Sequence, residues 1–142
     1  SFSGLAKLDG FTTGMKSMDL PIKKEWVIQT ESGIDGGRRA LKKLEETGAS
    51  CTAIIASEDV LAAGVLKGLT QKGIKEPDDM SVFGYNDSII AQCTTPGLSS
   101  VDNKVGAIAK EASRVLYQVL LGKEVPHHNV VVPELVFRES CP

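Results

Sequence analysis

Two stretches of this chain share one arrangement: a short apolar run, then a cluster of polar residues, then a helical pattern. The first stretch is Thr52 to Asp59 and the second is Met80 to Ser88. A short apolar run bounded in this way predicts a buried β-strand. In an open parallel sheet, ligands bind in the crevice outside the carboxyl ends of the strands. The two stretches therefore predict a ligand-binding α/β protein with both polar clusters on one rim of its sheet.

Apolar residues that recur every three or four positions predict four amphipathic helices. The predicted helices cover residues 5–18, 32–47, 57–73 and 105–121. Ser32 and Ser57 are expected to cap the second and third helices, because a serine side chain can accept a hydrogen bond from a free amide at a helix start. A glycine that can end the helix follows each of the last three, at Gly48, Gly73 and Gly122. We expect the first helix to bury its apolar stripe.

Strands are predicted between these helices, over residues 25–30, 52–56 and 80–84. A last strand over residues 129–137 contains Pro133, which predicts a position at the sheet edge or at a bend. Residues 85–103 are predicted to be irregular, with Pro96 and Gly97 in their middle. Alternation of strands and helices with short connections predicts parallel strands joined by right-handed crossovers. The expected fold class is α/β, a three-layer sandwich around a parallel sheet.

The composition fits one soluble globular domain. Of the 142 residues, 42% are hydrophobic and 24% are charged, which excludes a disordered chain. No apolar run approaches the ~20 residues needed to cross a bilayer, so we expect no membrane partner. A net charge of -2 provides no attraction to a phosphate backbone, so this chain alone is not expected to bind DNA.

Cysteine usage predicts a reducing compartment. Cys51, Cys93 and Cys141 are widely spaced and include no Cys-x-x-Cys pair, which predicts neither a disulfide framework nor a zinc site. We expect three free thiols and a cytoplasmic protein. The visible start contains no secretory leader. Because the chain begins at Ser1 and enters a helical pattern almost at once, we expect it to be part of a longer protein.

Signatures of catalysis are missing from the sequence. It contains no dinucleotide-binding glycine motif, no Walker loop, no serine elbow and no nucleophile paired with a base. Asp78 and Asp79 precede a predicted strand and are interpreted as a solvated turn. His127 and His128 are adjacent, so on a strand they would lie on opposite faces. We therefore expect no enzyme activity, no catalytic residues, no cofactor and no metal site.

Four motifs in order resemble the lac repressor and galactose repressor family of bacterial transcriptional regulators. They are Ala-Ser-Glu-Asp-Val-Leu-Ala-Ala-Gly from Ala56, Met-Ser-Val-Phe-Gly-Tyr-Asn-Asp-Ser from Met80, Thr-Pro-Gly-Leu-Ser-Ser-Val-Asp from Thr95 and Glu-Leu-Val-Phe-Arg-Glu-Ser from Glu134. The resemblance implies the C-terminal half of an effector-binding domain that is similar in fold to periplasmic sugar-binding proteins. It also implies a small-molecule effector, a sugar or a related metabolite, in a cleft between two subdomains.

The family resemblance further implies how this chain is divided. Residues 1–94 would lie mostly in the C-terminal subdomain, and residues 95–123 would form a crossover and a helix that belong with the N-terminal subdomain. Residues 124–142 would form a return strand and a tail. The family is dimeric and binds operator DNA through a helix-turn-helix that would lie outside this chain. We expect the helix over residues 105–121 to present an uncovered apolar patch or to self-associate.

Five effector-binding residues are implied by position in the family motifs: Lys7, Glu31, Glu58, Tyr85 and Asn86. Lys7 stands where the family often has an arginine. Glu58 and Asn86 stand where it commonly has an asparagine and an aspartate, so the amide and the carboxylate are exchanged. A carboxylate only accepts hydrogen bonds, whereas an amide both donates and accepts, and both suit sugar hydroxyls. Tyr85 would offer a ring on which a sugar stacks.

Four neighbouring residues are interpreted as mainly structural: Ser32, Ser57, Asp59 and Asp87. A solvated lysine at position 7 and turn residues at positions 58 and 86 are the alternative interpretations of the effector site. Two other functions stay open at this point. One is a transport-type periplasmic sugar-binding protein of the same fold, and the other is an enzyme that uses the carboxylates of Glu58, Asp59 and Asp87.

Overall fold

Four short strands lie side by side in chain order in the computed structural model, which describes residues 2–142. They are β1 (Ala53–Ile55), β2 (Ser81–Tyr85), β3 (Ser99–Asp102) and β4 (Glu134–Val136). β1, β2 and β3 run parallel to one another, whereas β4 is antiparallel to β3. The predicted α/β class and the predicted edge position of the last strand are confirmed.

Five helices accompany the sheet in the described residues. They are α1 (Phe2–Ser17), α2 (Ile34–Glu46), α3 (Asp59–Gln71), α4 (Ile89–Cys93) and α5 (Val105–Leu120). Gly48, Gly73 and Gly122 follow α2, α3 and α5 with positive φ angles of 66°, 72° and 70°, as a glycine helix stop requires. None of these helices combines the length and the apolar character that crossing a bilayer requires.

The core lies between α3 and the sheet. α3 places an apolar side chain every third or fourth position toward β2, and α2 covers the other side of α3. The fully buried residues of this core include Leu69, Val82 and Leu98, each 0% exposed. Since burying one such side chain contributes about 1.5–3 kcal/mol, this cluster fixes where α3 begins relative to the strand ends.

Two helices leave their apolar faces uncovered. The predicted burial of the α1 stripe is wrong, because no residue of α1 is buried and Leu5, which belongs to the stripe, is 68% exposed. Periodicity identifies an apolar face, but it does not show that another element covers it. α5 likewise has no buried residue, and its Leu120 is 75% exposed, so the expected uncovered patch is present.

The α5 patch predicts binding of a hydrophobic dye. Replacing Leu116 and Leu120 by glutamate should roughly halve the fluorescence of bound dye, because both side chains are more than half exposed on this face. Glutamates at Lys110 and Ser113, also exposed on α5, form the matched control. A protein that binds no dye at all would contradict the prediction.

Two predictions of local structure are wrong. Residues 25–30 do not form a strand, because Lys24–Trp26 forms a 3₁₀ turn and residues 27–30 have no strand partner. Strand propensity reflects packing against neighbours, and none pairs with this segment. Residues 85–103 are not irregular throughout, since they contain α4 and β3. The strand was missed because its Ser99 and Ser100, although 0% exposed, are polar.

The predicted caps are also corrected. α2 begins after Gly33 and α3 begins after Glu58, and neither start carries a side-chain capping bond. Ser32 and Ser57 therefore do not cap these helices. Ser32 uses its hydroxyl elsewhere, in a hydrogen bond to Glu58.

Candidate functional site

Polar side chains gather at one end of the sheet, where β1, β2 and β3 finish and β4 begins; we call this end the rim. Register places Asp102 at the end of β3 directly opposite Glu134 at the start of β4. The residues that follow β1 and β2 are Ala56 and Asn86. The rim therefore joins four chain segments that are distant in sequence, as the carboxyl ends of parallel strands do in ligand-binding α/β sheets.

Lys7 connects α1 to two strand ends. Its Nζ donates a hydrogen bond to the carbonyl oxygen of Ser57 (2.8 Å) and lies 3.8 Å from the ring centroid of Tyr85. Partial burial lowers the pKa of Lys7, and the negative charges of Glu58 and Asp59 oppose that shift. The Lys7 ammonium thus provides a positive charge held in place at the rim.

The Lys7 contact changes what Tyr85 can do. An ammonium over the ring is attracted by the negative face of the π system. Because Lys7 occupies that face, sugar stacking is limited to the opposite face of the half-buried ring. The role of Tyr85 in stacking stays a prediction.

Glu58 follows β1 and is bound from α2's side of the rim. The hydroxyl of Ser32 donates to its Oε2 over 2.7 Å. The second carboxylate oxygen, Oε1, can accept further hydrogen bonds from hydroxyl groups. Glu58 is half-buried, so its carboxylate is held in place while it remains accessible.

Asn86 follows β2 and meets a residue that sequence reasoning missed. The Nδ2 of Asn103, just after β3, donates to the Oδ1 of Asn86 over 3.2 Å. Asn86 and Asp87 have φ angles of 108° and 47°, in the left-handed region that L-residues rarely adopt. Such strain persists only where surrounding contacts impose it, and it is concentrated at functional sites.

Asp59 is one of those contacts. It is 1% exposed, and its two carboxylate oxygens accept hydrogen bonds from the Ser88 amide and the Ser100 hydroxyl, each over 2.6 Å. The Asp87 amide in turn donates to the Ser100 hydroxyl oxygen over 3.1 Å. Asp59 therefore links the start of α3, the loop after β2 and the middle of β3.

Asp87 is tied to the C-terminal tail. Its Oδ1 lies 2.7 Å from an Nη atom of Arg138, in an ion pair whose side chains are 15% and 20% exposed. The same Nη atom donates to the carbonyl oxygen of Leu98 over 2.7 Å. The ion pair and the Asp59 network hold both sides of the loop that carries Asn86.

Glu31 is not brought to the others by any contact in the described part of the chain. Its carboxylate pairs with Arg39 and accepts from the Thr30 hydroxyl over 3.0 Å. The hydrogen bond from its own backbone amide and that from Thr30 lower its pKa. Sequence reasoning placed Glu31 after a strand that does not exist, so its place in the site stays a prediction.

Ser100, Asn103 and Arg138 are the site residues that sequence reasoning missed. Ser100 and Arg138 belong to motifs that carry the family resemblance, but the motifs alone assign them no role. Asn103 carries no signal of its own, because its contact with Asn86 depends on the register of β2 against β3.

The sequence matches the periplasmic binding protein-like domain family over residues 6–141. An HTH-type transcriptional regulator of Lachnoclostridium phytofermentans is 30% identical over 140 residues, which are 99% of this chain and 42% of that protein. A sugar-binding LacI-family regulator of Escherichia coli, solved in complex with phosphate, has a TM-score of 0.89 at 27% identity and covers 96% of this chain and 49% of that one. The chain belongs to the periplasmic binding protein-like domain family. Its resemblance to the lac repressor family is confirmed by these regulators.

A further neighbour of known structure is the transcriptional regulator CelR in its cellobiose complex. It has a TM-score of 0.88 at 25% identity and covers 96% of this chain and 42% of that one. The chain spans about two fifths of the length of the relative from L. phytofermentans. These relatives are described as transcriptional regulators.

Proposed function

We propose that this chain is the effector-sensing part of a DNA-binding transcriptional repressor. A small sugar or related metabolite binds at the rim, in a cleft completed by a second subdomain, and controls operator binding. The observation that carries the proposal is the gathering of Lys7, Glu58 and Asn86 at one sheet end in a chain of this family. Support also comes from the E. coli neighbour, which is described as sugar-binding, and from CelR, solved with cellobiose.

The polar groups of the rim favour a ligand with many hydroxyl groups. Glu58 accepts hydrogen bonds, the Lys7 ammonium donates them, and the Asn86 and Asn103 amides do both. Such a mixed set discriminates well between hydroxyl patterns, because each buried group left unpaired by a wrong sugar costs about 1–3 kcal/mol.

Binding becomes regulation only through unequal affinity. A ligand shifts an equilibrium between two lobe arrangements only if it binds one more tightly than the other. In this proposal, residues 1–94 form most of one lobe, and residues 95–123 form a crossover and a helix of the other lobe. Residues 124–142 form a return strand and a tail. The protein is a cytoplasmic homodimer that binds operator DNA through a helix-turn-helix outside this chain, and it is not an enzyme.

Calorimetric titration tests the proposed site. The intact protein is titrated with a panel of mono- and disaccharides and sugar phosphates, and the ligand that binds is then titrated into Glu58→Gln and Asn86→Ala. Each change removes a hydrogen bond to a charged or polar group, so affinity should fall about tenfold to a hundredfold. Asp78→Asn, on an exposed turn that precedes β2 at the opposite sheet end, is the matched control. Equal affinities of wild type and both variants for the ligand would show that it binds at another site.

The transport alternative has its own discriminator. A regulator carries a helix-turn-helix in its full-length polypeptide, whereas a periplasmic transport protein carries a secretory leader. The named relatives support the regulator. The enzyme alternative is disfavoured by the bonding of Asp59, since both of its carboxylate oxygens are occupied by internal hydrogen bonds.

A further inference from the structure

Lys104 lies between β3 and α5 and pairs with two carboxylates. Its Nζ lies 2.8 Å from Oδ2 of Asp102 and 2.6 Å from Oε2 of Glu134; we call these three residues the ion triad. Asp102 and Glu134 are direct partners in the antiparallel register of β3 and β4. Like charges directly opposite each other on neighbouring strands are destabilising. The Lys104 ammonium therefore neutralises a repulsion that the register itself creates.

The backbone at Lys104 is also constrained. Its φ of 53° is left-handed, and its amide donates to Oδ1 of Asp102 over 2.7 Å. Asp102 and Glu134 raise the pKa of Lys104, so the ammonium stays charged at neutral pH. The side chains of Lys104 and Asp102 are 30% and 27% exposed, which shields their interaction from solvent in part.

In the proposed function α5 belongs to the other lobe, and no residue of the described chain buries it. Its direction relative to this sheet therefore depends on the connections between α5 and the strands. The chain leaves the sheet after Lys104, forms α5, and returns at Glu134. The ion triad joins the two ends of this excursion.

The triad lies at the rim, next to the pair formed by Asn86 and Asn103. Asn103 lies between Asp102 and Lys104, and its amide donates to Asn86 over 3.2 Å. A ligand that competes for Asn86 or Asn103 would act directly beside the triad.

We propose that Lys104 is a positioning residue that fixes β4 against β3 and thereby sets the direction of α5. Where the proposal extends to the ligand, it rests on the proposed function: occupancy of the rim changes the position of α5 through Asn103 and the triad.

Amide hydrogen exchange tests the first part. In the intact protein, Lys104→Met leaves two opposed carboxylates, so exchange of the β4 amides at residues 134–136 should rise about tenfold. Adding Glu134→Gln removes the repulsion and should restore most of the protection. Lys110→Met, on the exposed face of α5, is the matched control. Unchanged protection of residues 81–85 in β2 separates a local effect from global unfolding.

Spin-label distances test the orientation of α5. Labels at Lys67→Cys on α3 and Ser113→Cys on α5 are introduced with Cys51, Cys93 and Cys141 changed to serine. Lys104→Met should broaden the distance distribution about twofold, and Lys104→Met with Glu134→Gln should narrow it in part. Unchanged exchange and an unchanged distribution in Lys104→Met would overturn the proposal.

A separate experiment tests the ligand-dependent part of the proposal. With a ligand found by calorimetry, Lys104→Met should keep its affinity within about threefold while losing the ligand-induced change in the label distance. A wild-type protein that binds a ligand without any change in that distance overturns the coupling. A protein in which no ligand binds overturns the proposed function, whereas the exchange experiment still decides the role of Lys104.

Discussion

Gly64→Ala is expected to destabilise the protein by about 3 kcal/mol, the upper part of the range for overpacking a core. Gly64 lies where α3 meets α2 without an intervening side chain. A Cβ at this position would overlap the carbonyl oxygen of Ile34 and would lie 3.0 Å from the Cα of Gly37. Both neighbours are backbone atoms, so no side-chain rotation relieves the overlap, and α2 must move away from α3.

Urea denaturation measures this loss directly, and thermal unfolding should shift downward by roughly 10 °C. Gly14→Ala in α1 and Gly106→Ala in α5 are matched controls, because no atom lies within 4 Å of a Cβ added at either position. Alanine is the better helix former, so each control should be neutral or should stabilise by up to about 1 kcal/mol. A Gly64→Ala midpoint equal to that of the controls would show that α2 and α3 separate at little cost.

The α2 and α3 contact also shows what the sequence predicts well. Both helices were predicted from apolar periodicity, because Leu41, Leu61, Val65 and Leu69 recur at helical spacing and face a core that exists. The parallel pair β1 and β2 was predicted for the same reason, since Ile54 and Val82 lie in apolar runs. Local pattern and tertiary packing agree in these elements.

Prediction failed where tertiary context decides. Residues 27–30 have strand-like composition, but a strand forms only beside a partner, and none pairs with them. Ser100 lies in a strand whose buried polar side chains gave no apolar signal, and it binds Asp59, which is 41 residues away. Lys7, Glu58 and Asn86 were selected from family motifs, whereas Asn103 depends on strand register that one sequence does not reveal.

The second large effect is expected at Asp59, which accepts the hydrogen bond from Ser100. Asp59→Ala is expected to cost about 3–5 kcal/mol, because it leaves the buried Ser100 hydroxyl and the part-buried Ser88 amide without their acceptor and empties the space of a buried carboxylate. The freed loop carries Asn86, so effector affinity should fall together with stability.

Asp59→Asn distinguishes the hydrogen bonds made by Asp59 from the effect of its negative charge at the start of α3. The asparagine Oδ1 can still accept from the Ser88 amide, and its Nδ2 can donate to the Ser100 oxygen, so one acceptor is lost and the cost should be about 1–2 kcal/mol. Asp35→Ala removes the matching first-turn carboxylate of α2, whose side chain is 75% exposed, and should cost less than about 1 kcal/mol. Equal losses in Asp35→Ala and Asp59→Ala, measured by urea denaturation, would assign the effect of Asp59 to the helix dipole. We expect the free energy of unfolding to be much lower in Asp59→Ala than in Asp59→Asn, and nearly unchanged in Asp35→Ala. This order follows only if Asp59 holds the loop that carries Asn86 through both of its carboxylate oxygens.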